Sequence, residues 1–151
     1  MSRIALFADV QNLYYTVRQG YGCHFNYAAL WATLETQGEI VEAYAYAIDR
    51  GDARQQQFQQ ILRKLGFEAK LKPFIQRRDG SAKGDWDVGI TIDVLDAASR
   101  VDHVVLASGD GDFDLLLERI RHSNGVRTTV YGVPGLTAQS LIRATDVFRP
   151  I

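Results

Sequence analysis

The stretch Val104-Val105-Leu106-Ala107-Ser108-Gly109-Asp110-Gly111-Asp112-Phe113-Asp114 is an apolar run that ends abruptly in glycines and carboxylates. Val104 to Ala107 has no polar interruption, which is the pattern of a strand covered on both faces in a parallel sheet. Gly109 and Gly111 let the backbone turn sharply, and Leu115-Leu116-Leu117 with Ile120 begins an amphipathic helix that Asn124-Gly125 stops. The reading is a strand-turn-helix unit. Open parallel sheets bind ligands beyond the carboxyl ends of their strands, and at this end three acids fall within five residues. Acids packed so closely repel one another, so a divalent cation among them is the economical explanation for Asp110. Asp112 and Asp114 are also placed to cap the helix and meet its N-terminal dipole, which is the preferred role for Asp114.

Outward from this unit the pattern repeats. Ile4 to Ala8 is a second uninterrupted apolar run, and it too ends in an acid, Asp9. Asn12 is the expected cap of the helix that follows, and Asn26 that of a second helix ending before Gly38. Ile40 to Ile48 reads as a strand, Ala53 to Leu65 as an amphipathic helix, and Phe67 to Lys72 as an alternating strand near an edge. Gln76 to Ala82 has the composition of a loop, and the stretch up to Lys83 is expected to be the most mobile part of the chain and to form one wall of a substrate groove. Lys83-Gly84-Asp85-Trp86-Asp87 opens a helix reaching about Ser99, apolar on most of its circumference and therefore expected to be largely buried. Asp87 lies in its first turn. Asp93, six residues on and roughly 120° around the helix, is read as a structural hydrogen-bonding residue. Val126 to Tyr131 is a fifth strand, and Val147-Phe148 a final short strand or packed tail. The alternation of strands and helices predicts an α/β three-layer sandwich with a mostly parallel sheet.

With 151 residues, 46% hydrophobic and 23% charged, the chain has the size and balance of a single domain spanning 1–151. A formal net charge of -1 does not by itself select a nucleic-acid or membrane partner. Cys23 is the only cysteine, which excludes an internal disulfide and a multi-cysteine zinc site. The opening apolar run is too short for a secretion signal, and no later run approaches a membrane span, so a cytoplasmic location without membrane association is expected. Charge is unevenly distributed: from Arg63 to Lys83 seven basic residues stand against Glu68 and Asp79. Such a local surface can hold RNA by releasing counterions, with Arg77, Arg78 and Lys83 placed to meet phosphates.

Three segments together resemble a known family. Asp9-Val10-Gln11-Asn12-Leu13, Lys83-Gly84 followed by Asp87-Val88, and Ser108-Gly109-Asp110-Gly111-Asp112-Phe113 are similar to the three motifs of the NYN domain. That family is a branch of the PIN-like metal-dependent ribonucleases and includes LabA-like bacterial proteins. The resemblance covers nearly the whole chain. It implies a PIN-like sheet of order 3-2-1-4-5, with Mg²⁺ or Mn²⁺ held by carboxylates between the first and fourth strands. It further implies RNA as substrate and an endonuclease, with Asp9, Asp87, Asp110 and Asp112 as metal and catalytic residues. Asn12 and Ser108 would then contact metal water or substrate. Carboxylates and water suit a hard cation, and no His or Cys is positioned to select zinc.

Two other readings remain open: an NYN module that holds RNA or a regulatory partner without cutting, and a Toprim-like phosphoryl-transfer enzyme. The latter expects Glu on the first strand, where Asp9 stands. A Rossmann nucleotide site expects a glycine-rich first turn, which Asp9-Val10-Gln11-Asn12 is not. The choice of RNA, endo- against exonucleolytic cutting and assembly into a homo-oligomer are not decided by the sequence.

Overall fold

The computed structural model describes residues 1–73, 75–76, 82–83 and 85–151. Arg77 and Arg78, and with them most of the segment expected to be mobile, lie outside the described residues; for Lys83 only the backbone is described.

Among the described residues eight strands and six α-helices follow in the order β1 (Arg3–Asp9), α1 (Val10–Tyr21), α2 (Tyr27–Glu35), β2 (Glu39–Asp49), α3 (Ala53–Leu65), β3 (Glu68–Pro73), β4 (Ile75–Gln76), β5 (Ala82–Lys83), α4 (Asp87–Ala97), β6 (His103–Ala107), α5 (Asp114–Asn124), β7 (Arg127–Gly132), α6 (Gln139–Ala144) and β8 (Val147–Pro150). The main sheet has the order β3-β2-β1-β6-β7-β8, and every neighbouring pair is parallel. Its first five strands reproduce the expected order, and the tail at Val147 adds a sixth at the edge. The strands ending at Asp9 and Ala107 are direct neighbours, with Ala8 opposite Ala107. Within the segment expected to be a loop, β4 and β5 form a short antiparallel pair outside the main sheet.

Alternation along β1 assigns its side chains to two cores. Ala5 and Phe7 join Val104, Leu106 and the buried faces of α4, α5 and α6, whereas Ile4, Leu6 and Ala8 join Val105, Ala107 and the buried faces of α1, α2 and α3. Ile4 to Ala8 and Val104 to Ala107 are all fully buried, which explains their lack of polar residues. The chain crosses from one helical layer to the other between β1 and β6. That junction is the switch point at which the sheet leaves a crevice.

Two local expectations need correction. The cap of α1 is Asp9, not Asn12: the helix starts directly after the strand, and the Asp9 side chain accepts from the Asn12 N–H. Helix α4 is less buried than its apolar composition suggests. Ile90, Val94 and Ala97 face the sheet, whereas Val88, Ile92 and Leu95, spaced four and three residues apart, line its outer face and are exposed. A helix laid on one side of a sheet can bury only one stripe, whatever the residues opposite. No described helix is long and apolar enough to cross a membrane.

Candidate metal centre

Strand β1 delivers Asp9 to the carboxyl edge of the sheet, where it is 8% exposed. β6 ends one residue before Ser108, and the turn after it carries Asp110. α4 begins at Asp87, with its first turn aimed at the same edge. Carboxylate oxygens of Asp9, Asp87 and Asp110 all lie within 4.8 Å of one another. Among the described residues, this is the group of acids, histidines or cysteines that converges closely enough to hold a metal ion.

A small hydrogen-bond network fixes the geometry. The Ser108 hydroxyl is fully buried and donates to Asp9 Oδ2 at 3.1 Å, while its oxygen accepts from the Asp110 N–H at 3.2 Å. Asp9 Oδ1 accepts from the Asn12 N–H at 3.5 Å. Asn12 Oδ1 in turn accepts from the Gly109 N–H at 2.8 Å, tying the β6 turn to α1. Gly109 has no room for a side chain: a Cβ there would stand 2.7 Å from the Leu136 carbonyl oxygen. On the third side, Trp86 anchors the start of α4 by donating from Nε1 to the Ala47 carbonyl at 2.8 Å. Lys72 Nζ lies 4.5 Å from the Trp86 ring centroid and donates to the Asp85 carbonyl at 3.2 Å.

Electrostatics register the crowding. Burial pushes the Asp9 carboxyl up to about 6, with Asp110 and Asp85 pushing the same way against the Ser108 and Asn12 hydrogen bonds. Asp87 is pushed up to about 7, first by burial, then by the charges of Asp110 and Asp85 and by a hydrogen bond to Asp110 that favours its protonated form. Nearby carboxylates that resist ionising together are the mark of a site completed by positive charge. The donors are all oxygen, which fits a hard divalent cation.

The other sequence-derived residues are distributed unevenly. Asp112 is exposed and outside the group of three; its N–H donates to Asp110 Oδ1 at 2.9 Å, so Asp110 also caps the tight turn Gly111–Phe113. Asp93 points away, accepting from the Tyr46 hydroxyl at 2.8 Å and from Lys70 Nζ at 2.7 Å. Asp85 was overlooked in the sequence. Its charge acts on both Asp9 and Asp87, and its Oδ1 accepts from the Asp87 N–H at 3.4 Å. The signal available for it was the pairing Asp85-Trp86-Asp87 at the mouth of the helix, two acids around an anchoring aromatic.

Comparison with known proteins agrees with this architecture. The NYN domain model matches residues 3–151. The chain is 31% identical over 153 aligned residues to the low amplitude and bright protein LabA of Synechococcus elongatus, covering 96% of this chain and 81% of that one. A crystal structure of a Vibrio parahaemolyticus protein of unknown function superimposes with a TM-score of 0.94 at 55% identity, covering 99% of this chain and 93% of the other. MurG of Acinetobacter baumannii, 17% identical with a TM-score of 0.54 over 98% of this chain and 41% of its own, shares only the general α/β arrangement. The switch-point crevice, the acids gathered in it and the matched model lead to one family: this chain belongs to the NYN domain proteins, a branch of the PIN-like nucleases.

Proposed function

We propose that the protein is a ribonuclease dependent on Mg²⁺ or Mn²⁺, hydrolysing RNA phosphodiester bonds at Asp9, Asp87 and Asp110. The observation that carries this reading is the convergence of the three carboxylates at the switch point, with two of them held well above the usual carboxylate range. A bare acidic crevice repels a phosphodiester; a cation in it, when bound, supplies Lewis acidity toward phosphate and water.

The chain's own groups divide the remaining work. Asp9 and Asp110 would hold the cation from two adjacent strand ends, and their spacing is kept by the buried Ser108 hydroxyl, which donates to the Asp9 carboxylate and accepts from the Asp110 N–H. Asp87, brought beside the other two by the start of α4, would complete the ligand shell or orient the attacking water. Asp112 and Asp85 are exposed beside the group of three, where they would orient water or hold a second cation. Asn12 keeps the turn at Gly109 against α1, so that the phosphate meets a fixed edge. Lys83, Arg77 and Arg78 remain the proposed contacts to flanking phosphates, and endonucleolytic cutting within a cytoplasmic RNA is the activity favoured by family. The test uses purified protein and end-labelled single-stranded RNA with Mn²⁺, Mg²⁺ or a chelator. The expected result is metal-dependent cleavage that Asp110→Asn abolishes; cleavage by that variant at the wild-type rate would refute the assignment.

A further inference from the structure

Beside the carboxylates, on the α1–α2–α3 side of the sheet, lies a cleft of about 1020 Å³. Its floor is aromatic. Phe25 and Tyr27 meet edge to face at 4.8 Å between centroids, and Tyr27 meets Phe58 at 5.5 Å. Tyr14 and Tyr15 of α1 form its wall, 40% and 53% exposed, with the His24 ring lying nearly parallel to Tyr14 at 6.0 Å. Arg18, Arg50 and Arg54 bring three positive charges to the lining. The opposing Asp52 carboxylate is engaged as the cap of α3, accepting from the Gln55 N–H at 2.8 Å.

Two observations connect the cleft to the acid cluster. Gln11, two residues beyond Asp9, belongs to its lining, as does Ile48 near the end of β2, the strand beside β1. Burial pushes the Tyr27 hydroxyl above its ordinary range and the charge of Asp9 pushes the same way, so the floor lies within electrostatic reach of the proposed metal ligand.

Exposed rings over an apolar floor, edged with guanidinium groups, form a stacking platform with phosphate contacts beside it. A paired base cannot enter such a cleft without leaving its stack, whereas a base in a single strand can be splayed into it. We propose that the cleft seats a nucleobase of single-stranded RNA flanking the bond cut at Asp9, Asp87 and Asp110, with Arg54 and Arg18 meeting the adjoining phosphates. The proposal rests on the ribonuclease reading and deepens it, because it makes an unpaired strand the substrate and runs that strand across the carboxyl edge of β1.

The test measures binding without cleavage. Anisotropy of a fluorescent single-stranded RNA of about twenty nucleotides is read in chelator, against a duplex of the same sequence and against free mononucleotides. Tyr15 and Arg54 are both exposed, so Tyr15→Ala with Arg54→Ala keeps the fold. The double variant is expected to bind the single strand about tenfold more weakly and to lower the salt slope by about one, with duplex binding affected far less. Photocrosslinking of 4-thiouridine RNA to the wild-type protein is expected to mark the peptide containing Tyr14 and Tyr15. Unchanged single-strand affinity together with crosslinks elsewhere would overturn the proposal, as would a mononucleotide that competes as well as the strand. Wild-type protein that binds through the cleft but leaves RNA uncut in Mn²⁺ would support the cleft and refute only the ribonuclease reading.

Discussion

Replacing Asp9 with Asn should make the metal-free protein more stable at neutral and alkaline pH while removing its response to metal. The carboxyl is buried, and burial raises it from 3.8 to about 6. The sign follows from which state binds more protons. Between about pH 4 and pH 6 the folded protein holds a proton that the unfolded chain has released, so this group's contribution falls as pH rises and is lost above the folded value. The displacement corresponds to a cost of about 2–3 kcal/mol once the group is ionised in both states. The amide keeps an oxygen for the Asn12 N–H and turns an N–H₂ toward Ser108, an imperfect exchange that reduces the net gain to roughly 1–2 kcal/mol. Urea unfolding in chelator, at steps from about pH 4 to pH 8, measures this directly. The difference between variant and wild type, in which other titrations cancel, should disfavour the variant by about 1 kcal/mol at the acid end, where Asp9 is protonated in both states, and turn in its favour toward neutrality. Mn²⁺ should then stabilise the wild type, by about 2.7 kcal/mol at a hundredfold excess over its dissociation constant, and the variant far less. A variant that is less stable than wild type at pH 8, or a difference that does not change with pH, would refute the account of Asp9 as a strained carboxylate.

Asp110→Asn should lose metal-dependent cleavage while folding as well as the wild type or slightly better, because one member of a repulsive set is neutralised; cleavage assays and thermal melts read the two effects separately. Asp93→Asn should do the reverse, costing about 1–2 kcal/mol in urea unfolding through its weakened bonds to the Tyr46 hydroxyl and Lys70, with cleavage retained. Gly109→Ala should cost about 1–3 kcal/mol, because the new Cβ meets the Leu136 carbonyl oxygen and forces the turn off Asn12; metal affinity should fall with it, as calorimetric titration would show.

The fold was legible where burial is two-sided. Ile4 to Ala8 of β1 and Val104 to Ala107 of β6 are covered by helices on both faces, so these runs admit no polar residue and end sharply near the sheet edge, where the acids stand. Asp93 could be separated from Asp87 by helical angle alone, and it does point to Tyr46 and Lys70. Legibility failed where the outcome depends on partners distant in the chain. Asn12 has the chemistry of a cap, but Asp9 stands three residues earlier on a strand that passes straight into the helix, and the cap position falls to it. The composition of α4 could not say that only one of its apolar stripes meets the sheet. The aromatic cleft draws on α1, the start of α2, the loop after β2 and α3, and no local window contains enough of it to be noticed.

The rigidity of the sheet is what gives the acid cluster its properties. Carboxylates carried on a loose loop would move apart and ionise normally, since a small increase in separation and hydration relieves most of their repulsion. Here two of the three sit at or just beyond the ends of fully buried neighbouring strands, locked in register with Ala8 opposite Ala107. The turn between them is clamped by Asn12 and backed by the Leu136 carbonyl, and the third acid is fixed by the Trp86 anchor. None can retreat without disturbing the core. The repulsion is therefore retained as raised proton affinity, and a cation that replaces those protons meets ligands already in place, with little ordering cost. The same stiffness bears on the cleft: Asp9 begins α1, and α1 carries Tyr14, Tyr15 and Arg18, so the acids and the stacking wall share one rigid element. A strand held in the cleft would present its neighbouring phosphate at a fixed distance from the carboxylates, and that distance would set which bond is cut relative to the seated base.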